Sequence, residues 1–266
     1  MRPSPGRLLI LTAVLLTTVL LTGSCATAAP HPNAAVRSAT ASPAGATTMP
    51  RGVVTVPPLP DHVLLSVPAQ NQLPSLPNGC EVTSLAMLLS AVGQNVDKLT
   101  LAQQQPIDPT PVTFRNASDG DLNDITRWGN PSVGFVGNVS GLGYGIYHGP
   151  LLRLLARYTP GRALDLTGVP EAALQRQLAA GMPVVAWVTV GFAPTSDWTV
   201  WQSPTGPVRA TRNEHAVLIV GYDARHVYVN NPLTGERAVP IDRARFDATW
   251  AQLGQQAVSV APGHAP

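Results

Sequence analysis

Apolar positions change their period partway along the chain, and the change separates a helical half from a strand half. Between residues 80 and 92, Val82, Leu85, Ala86, Leu89 and Val92 recur at helical spacing, with Asn78 or Gly79 as the cap and Gly93 as the stop. A second short helix is expected after Asp97. Helical spacing returns at Pro150–Tyr158 and Pro170–Ala180, each opened by proline, and Gly181 closes the second. Beyond Pro183, β-branched and aromatic residues predict strands at 183–190, 198–202, 214–222, 227–230 and 237–241. Turns at Asp223-Ala224-Arg225 and Pro232-Leu233-Thr234-Gly235 join the last three. Asp242 reads as the cap of a final helix to Leu253, with Phe246 and Trp250 four apart on one face. The stretch from Pro106 to Tyr147 is rich in Gly, Asn, Asp and Pro; it is expected to be irregular, a candidate flap. Helices followed by an antiparallel sheet predict an α+β domain.

The N-terminal pattern is of another kind. Arg2 and Arg7 precede an unbroken apolar stretch from Leu8 to about Leu21, followed by Gly23, Ser24, Ala26 and Ala28, the layout of a secretory signal. The stretch falls short of the roughly 20 apolar residues of a membrane span. Two exits are open. Ala26-Thr27-Ala28 fits cleavage before Ala29, whereas Thr22-Gly23-Ser24-Cys25 resembles a bacterial lipobox with Thr at its first position, an exit that leaves a lipid anchor on Cys25. Residues 29–57 are Ala, Pro, Ser and Thr with almost no large apolar side chain, so burial cannot offset their ordering entropy and they read as a linker. The expected organisation is a signal peptide over 1–28, the linker, one folded domain over 58–261 and a tail over 262–266. Such a chain is secreted or associated with the cell envelope. Charged residues make up only 12% of it, and a net charge of +2 without a basic cluster argues against a nucleic-acid partner.

Within the domain one cysteine stands alone. Cys80 has no disulfide partner once the leader is removed, and an odd cysteine in an exported chain points to a reactive thiol or an intermolecular bridge. A small buried residue in a core helix is the bland alternative. The first turn of a helix favours an anion, and with a neighbouring imidazolium it draws a thiol pKa downward. Glu81 opposes this, so its side chain is expected to point away and serve the helix terminus. Of six histidines, His31 and His264 lie in the tails, and His62, His148 and His226 lie near turns or element ends. His215 instead opens the most apolar strand of the chain, which would hold its ring in a fixed direction. Sixteen positions on, Asn231 ends the next strand, and antiparallel pairing through a tight turn sets the two side by side. An Asn carbonyl there can accept the ring proton and orient the imidazole, with Asn230 as its rival. The domain has no His-Glu-x-x-His, second thiol or Gly-rich phosphate loop, so no metal or cofactor is expected.

At these residues the chain resembles the C39-like cysteine peptidases, a papain-like group. The likeness rests on Gln72 upstream of Leu76-Pro77-Asn78-Gly79-Cys80-Glu81-Val82-Thr83-Ser84-Leu85, on Glu214-His215-Ala216-Val217 followed by Gly221-Tyr222-Asp223, and on Val227-Tyr228-Val229-Asn230-Asn231-Pro232. Many members carry Asp where Asn231 stands. The resemblance implies a papain-like fold, with the nucleophile helix of an N-terminal helical part packed on a C-terminal antiparallel sheet. It implies Cys80 as nucleophile, His215 as base, Asn231 as orienter and Gln72 as oxyanion donor, with Gln70 as a substitute. The activity so implied is hydrolysis of amide bonds in a peptide or protein, cell-wall peptide included. Two alternatives stand beside it: a peptidoglycan-directed amidase or endopeptidase, and a catalytically inactive peptide-binding module. Trp187, Trp198, Trp201 and Tyr222 are available to a peptide groove or to the core. An exposed thiol of low pKa also oxidises readily to sulfenic acid, so dependence on reductant is expected.

Overall fold

The computed structural model describes residues 58–116 and 121–263. The signal, Cys25 and the linker therefore lie outside the described residues.

Among the described residues, five α-helices and thirteen strands follow in the order β1 (Val63–Leu64), α1 (Cys80–Ala91), α2 (Lys98–Gln104), β2 (Ile107–Asp108), β3 (Thr113–Phe114), β4 (Ile125–Arg127), β5 (Phe135–Val136), α3 (His148–Tyr158), β6 (Ala163–Asp165), α4 (Glu171–Ala179), β7 (Val184–Thr189), β8 (Thr199–Ser203), β9 (Gly206–Ala210), β10 (Glu214–Tyr222), β11 (His226–Asn231), β12 (Glu236–Asp242), α5 (Arg243–Gln252) and β13 (Ala257–Val260). The α+β expectation holds. Asp97 and Asp242 cap α2 and α5 through their side chains, accepting from the amides of Leu99 and Arg245.

The main sheet is antiparallel and runs β12-β11-β10-β7-β13-β6, with β1 added beside the end of β10. All nine residues of β10 are buried because helices cover both faces of the sheet. Ala216, Leu218 and Val220 share a core with Leu85, Leu88 and Leu89 of α1 and Leu151, Leu154 and Leu155 of α3. Val217 and Ile219 alternate onto the other face, with Leu174 and Leu178 of α4 and Phe246 and Trp250 of α5. Burial on two faces explains why β10 reads as one continuous apolar run. The helix that opens with Cys80 thus packs on the sheet, as expected.

The stretch from Pro106 to Tyr147 departs from the irregular reading. It contributes β2 to β5, and β4 joins β3 to the β8-β9 hairpin in a second, four-stranded sheet. Leu122, Ile125, Trp128, Val136 and Tyr144 pack there against Trp201 and Val208. This is a packed subdomain wall rather than a loose flap. Strands of two or three residues have no period to detect in a sequence.

Candidate active site

Local chain geometry places the thiol first. Gly79 precedes α1 as its cap residue and offers no side chain to the first-turn amides. A Cβ at Gly79 would stand 2.6 Å from Leu76 Cβ, so the close turn admits only glycine. Asn78 does not cap the helix either; its Nδ2 donates to the carbonyls of Asn138 (3.0 Å) and Gly141 (2.8 Å), fastening the 138–143 loop to the start of α1. Cys80 follows as the first helical residue, 6% exposed.

His215 and Asn231 meet as the strand pairing predicts. His215 Nε2 and Asn231 Oδ1 are 2.9 Å apart, and the same oxygen accepts the Leu233 amide at 3.0 Å. A backbone N–H only donates, so it identifies that Asn atom as oxygen and makes Nε2 the protonated ring nitrogen. In the neutral imidazole Nδ1 is then the free acceptor. Burial holds the His215 pKa below its ordinary value, with the Asn231 hydrogen bond acting the other way. The rival Asn230 is fully buried and works in the sheet, donating to Val67 O (3.0 Å) and accepting from Ala238 N (2.9 Å). His148 is held by Gln256 and His226 by Asp223, and neither lines the cleft that holds Cys80.

Gln72 and Cys80 line one cleft of about 370 Å³ with His215, Glu214, Leu122, Tyr144 and the glycines of the 141–143 loop. Gln72 is 3% exposed. Its backbone amide donates to Pro232 O (2.7 Å), beside Asn231, and its Nε2 donates to Pro77 O (2.8 Å). Gln70 lies outside the cleft lining, with its amide on Met87 Sδ. None of the four aromatic candidates for a groove lines this cleft. Trp187 and Trp201 are buried core residues whose indoles bond Ile146 O and Gly129 O, Tyr222 bonds Pro60 O, and Trp198 lies under the Arg209 guanidinium.

Glu81 overturns its expectation. It turns inward, 1% exposed, with Oε1 accepting the Ile146 amide (2.7 Å) and Oε2 accepting the Cys80 thiol (3.3 Å). Glu214, 8% exposed, completes a cluster in which the ligand-capable atoms of Cys80, Glu81 and Glu214 all lie within 4.8 Å of one another. Burial pushes Glu81 up to about 7 against its amide hydrogen bonds, and burial together with Glu81 pushes Glu214 well above the carboxylate range. The thiol is correspondingly not acidic. Burial first, then the charges of Glu81 and Glu214, raise its pKa well above the ordinary value, and only a backbone bond at Ala216 works to lower it. The helix terminus is outweighed by desolvation and two carboxylates. Sequence reasoning missed Glu214, although its position directly before His215 at the mouth of a buried strand was the available signal.

Three of the matches with known proteins bear on the family. Residues 64–258 match the sequence model of the Peptidase_C39 like family. YvpB of Bacillus subtilis, itself uncharacterized, is 40% identical over 199 residues, covering 74% of this chain and 75% of its own. The crystal structure of a Bacillus anthracis protein assigned to the C39-like peptidases superposes with a TM-score of 0.68 at 40% identity, over 77% of this chain and 100% of the other.

Proposed function

The chain belongs to the Peptidase_C39 like family, and on that premise we propose that it is an exported cysteine peptidase that hydrolyses amide bonds with Cys80, His215 and Asn231. The bond between His215 Nε2 and Asn231 Oδ1 carries the reading, because it orients a neutral base whose free nitrogen serves the cleft that Cys80 lines. Export rests on the apolar leader.

The resting thiol and the resting imidazole are both neutral, so the nucleophile is made during attack rather than stored as an ion pair. As Sγ bonds to the substrate carbonyl carbon, its proton leaves for His215 Nδ1, and the carbonyl oxygen takes the charge. The Cys80 amide at the open start of α1 and the second Nε2 hydrogen of Gln72 receive that oxyanion. His215 then protonates the departing amine, and water releases the acyl group by the reverse route.

The test is hydrolysis of an unbiased peptide library and of purified cell wall in reductant. Cleavage of either that disappears in Cys80→Ala supports the reading, and the substrate cleaved decides between a general peptidase and a peptidoglycan-directed one. A wild-type chain that binds peptides without cleaving any is instead a binding module, the reading that the suppressed thiol acidity favours.

A further inference from the structure

The Cys80, Glu81 and Glu214 cluster contains more anionic chemistry than the hydrolytic steps use. Among the described residues neither carboxylate forms an ion pair with a cationic side chain. Glu214 Oε1 is buried without a hydrogen-bond partner, although an unpaired buried carboxylate oxygen is costly. The shape around it is that of a ligand set. Cys80 Sγ and Glu81 Oε2 are 3.3 Å apart, close to the roughly 3.6 Å that tetrahedral bonds of about 2.3 Å to sulfur and about 2.1 Å to oxygen would set between them. Ile146 holds Glu81 Oε1 and leaves Oε2 turned to the thiol, as an outer-shell donor does for a ligating carboxylate. Cys80 and Glu214 both line the cleft, which supplies an entry path and room for a fourth ligand.

We propose that Cys80 Sγ and carboxylate oxygens of Glu81 and Glu214 form a binding site for a zinc-class divalent cation, whose occupation silences the thiol. A thiolate in the set selects zinc-class ions over magnesium or calcium, which take oxygen ligands alone. Two positive charges offset most of three ligand charges in a site without other cations. The cation takes the sulfur lone pair that would attack a carbonyl, so the loaded protein is inert and a chelator restores it. The cation site stands independently of turnover; its silencing role rests on the hydrolase reading.

Cobalt titration of the full, metal-stripped chain tests the site. A thiolate-to-cobalt charge-transfer band in the near ultraviolet is expected, absent in Cys80→Ser, with the dissociation constant raised about tenfold or more in Glu214→Gln. Zinc should likewise protect Cys80 from iodoacetamide. No band in the wild-type chain, or undiminished affinity in a Glu214→Gln variant with native circular dichroism, overturns the proposal. Should that variant fail to fold, Glu81→Gln takes its place with the same expectation. A cobalt band in a metal-free-inactive chain sinks the hydrolase and leaves the site, whereas turnover with neither band nor zinc inhibition sinks the site and leaves the hydrolase.

Discussion

Cys80 Sγ lies 3.3 Å from Glu81 Oε2, so the thiol proton rests against a carboxylate rather than on the imidazole. Each ionised neighbour penalises a thiolate, and removing one lowers the thiol pKa. In chelator, Glu81→Gln should therefore speed alkylation of Cys80 at pH 7.5 roughly tenfold, the equivalent of one pKa unit. Equal rates for the two proteins would show that Glu81 does not govern the thiol. The suppressed acidity also revises the expectation of easy oxidation: peroxide should inactivate Glu81→Gln faster than wild type.

Asn231 is predicted to act through His215 alone. Asn231→Ala removes the acceptor that fixes the ring, a part-buried bond worth about 1–3 kcal/mol, or roughly 5- to 150-fold in kcat/KM. His215→Ala should cost more, about 10²- to 10⁴-fold, because it removes the base itself. Asn231→Asp keeps the acceptor and should recover most of the loss. A double variant as slow as His215→Ala alone would place both residues on one step; independent, multiplying losses would separate them.

Acid stability should carry a signature from Asp223. Its carboxylate accepts the Tyr228 hydroxyl (2.7 Å) and the amides of Arg225 (2.7 Å) and His226 (2.7 Å), which hold its pKa well below the usual range. A folded pKa depressed below the unfolded value of about 3.9 gives stability that is complete above that value and is lost as pH falls toward the folded one. The urea midpoint of Asp223→Asn should therefore lie below wild type at pH 7, and the gap should close below about pH 4. A gap that stays constant from pH 7 to pH 2 would remove Asp223 from the pH dependence.

Much of this arrangement was legible in the sequence because long elements carry it. Helix α1 and its cap residue Val92 show five apolar positions at helical spacing, and β10 is a nine-residue run, so both ends of the Cys80–His215 relationship could be placed. Pairing rules set Asn231 beside His215 but left Asn230 as a rival, and the family resemblance chose between them. Orientation inside the first helical turn was not legible, since helical period assigns a residue to a face but not to a partner brought by another segment. Glu81 turns inward because the amide of Ile146, 65 positions away, meets it there. Strand β13 was missed, although all four of its residues are buried between β7 and β6.

Gly145 tests how tightly that inward turn is specified. It sits at φ +155°, and a Cβ there would overlap the Glu81 carboxylate and come within 3.1 Å of Glu214 Oε2. Gly145→Ala should displace Glu81 from the Ile146 amide and from the thiol, costing about 1–3 kcal/mol in unfolding free energy. Alkylation of Cys80 should accelerate in the same variant. A stable variant with wild-type alkylation would mean that the loop simply shifts to make room.

Gln72 and Gln70 make opposite predictions. The Gln72 side chain lines the cleft, spends one Nε2 hydrogen on Pro77 O and has its Oε1 buried without a partner, so the amide is oriented with one donor to spare. A preorganised oxyanion donor acts on the transition state more than on the bound substrate, and its loss costs about 10²- to 10³-fold in kcat. Gln72→Ala should show that loss with little change in KM, while Gln70→Ala, outside the cleft, should leave both constants near wild type. Because Gln72 also braces the turn before Cys80, Gln72→Asn and a comparison of unfolding midpoints keep the two roles apart. A rate loss that scales with lost stability, or an equal loss in Gln70→Ala, would take the oxyanion role from Gln72.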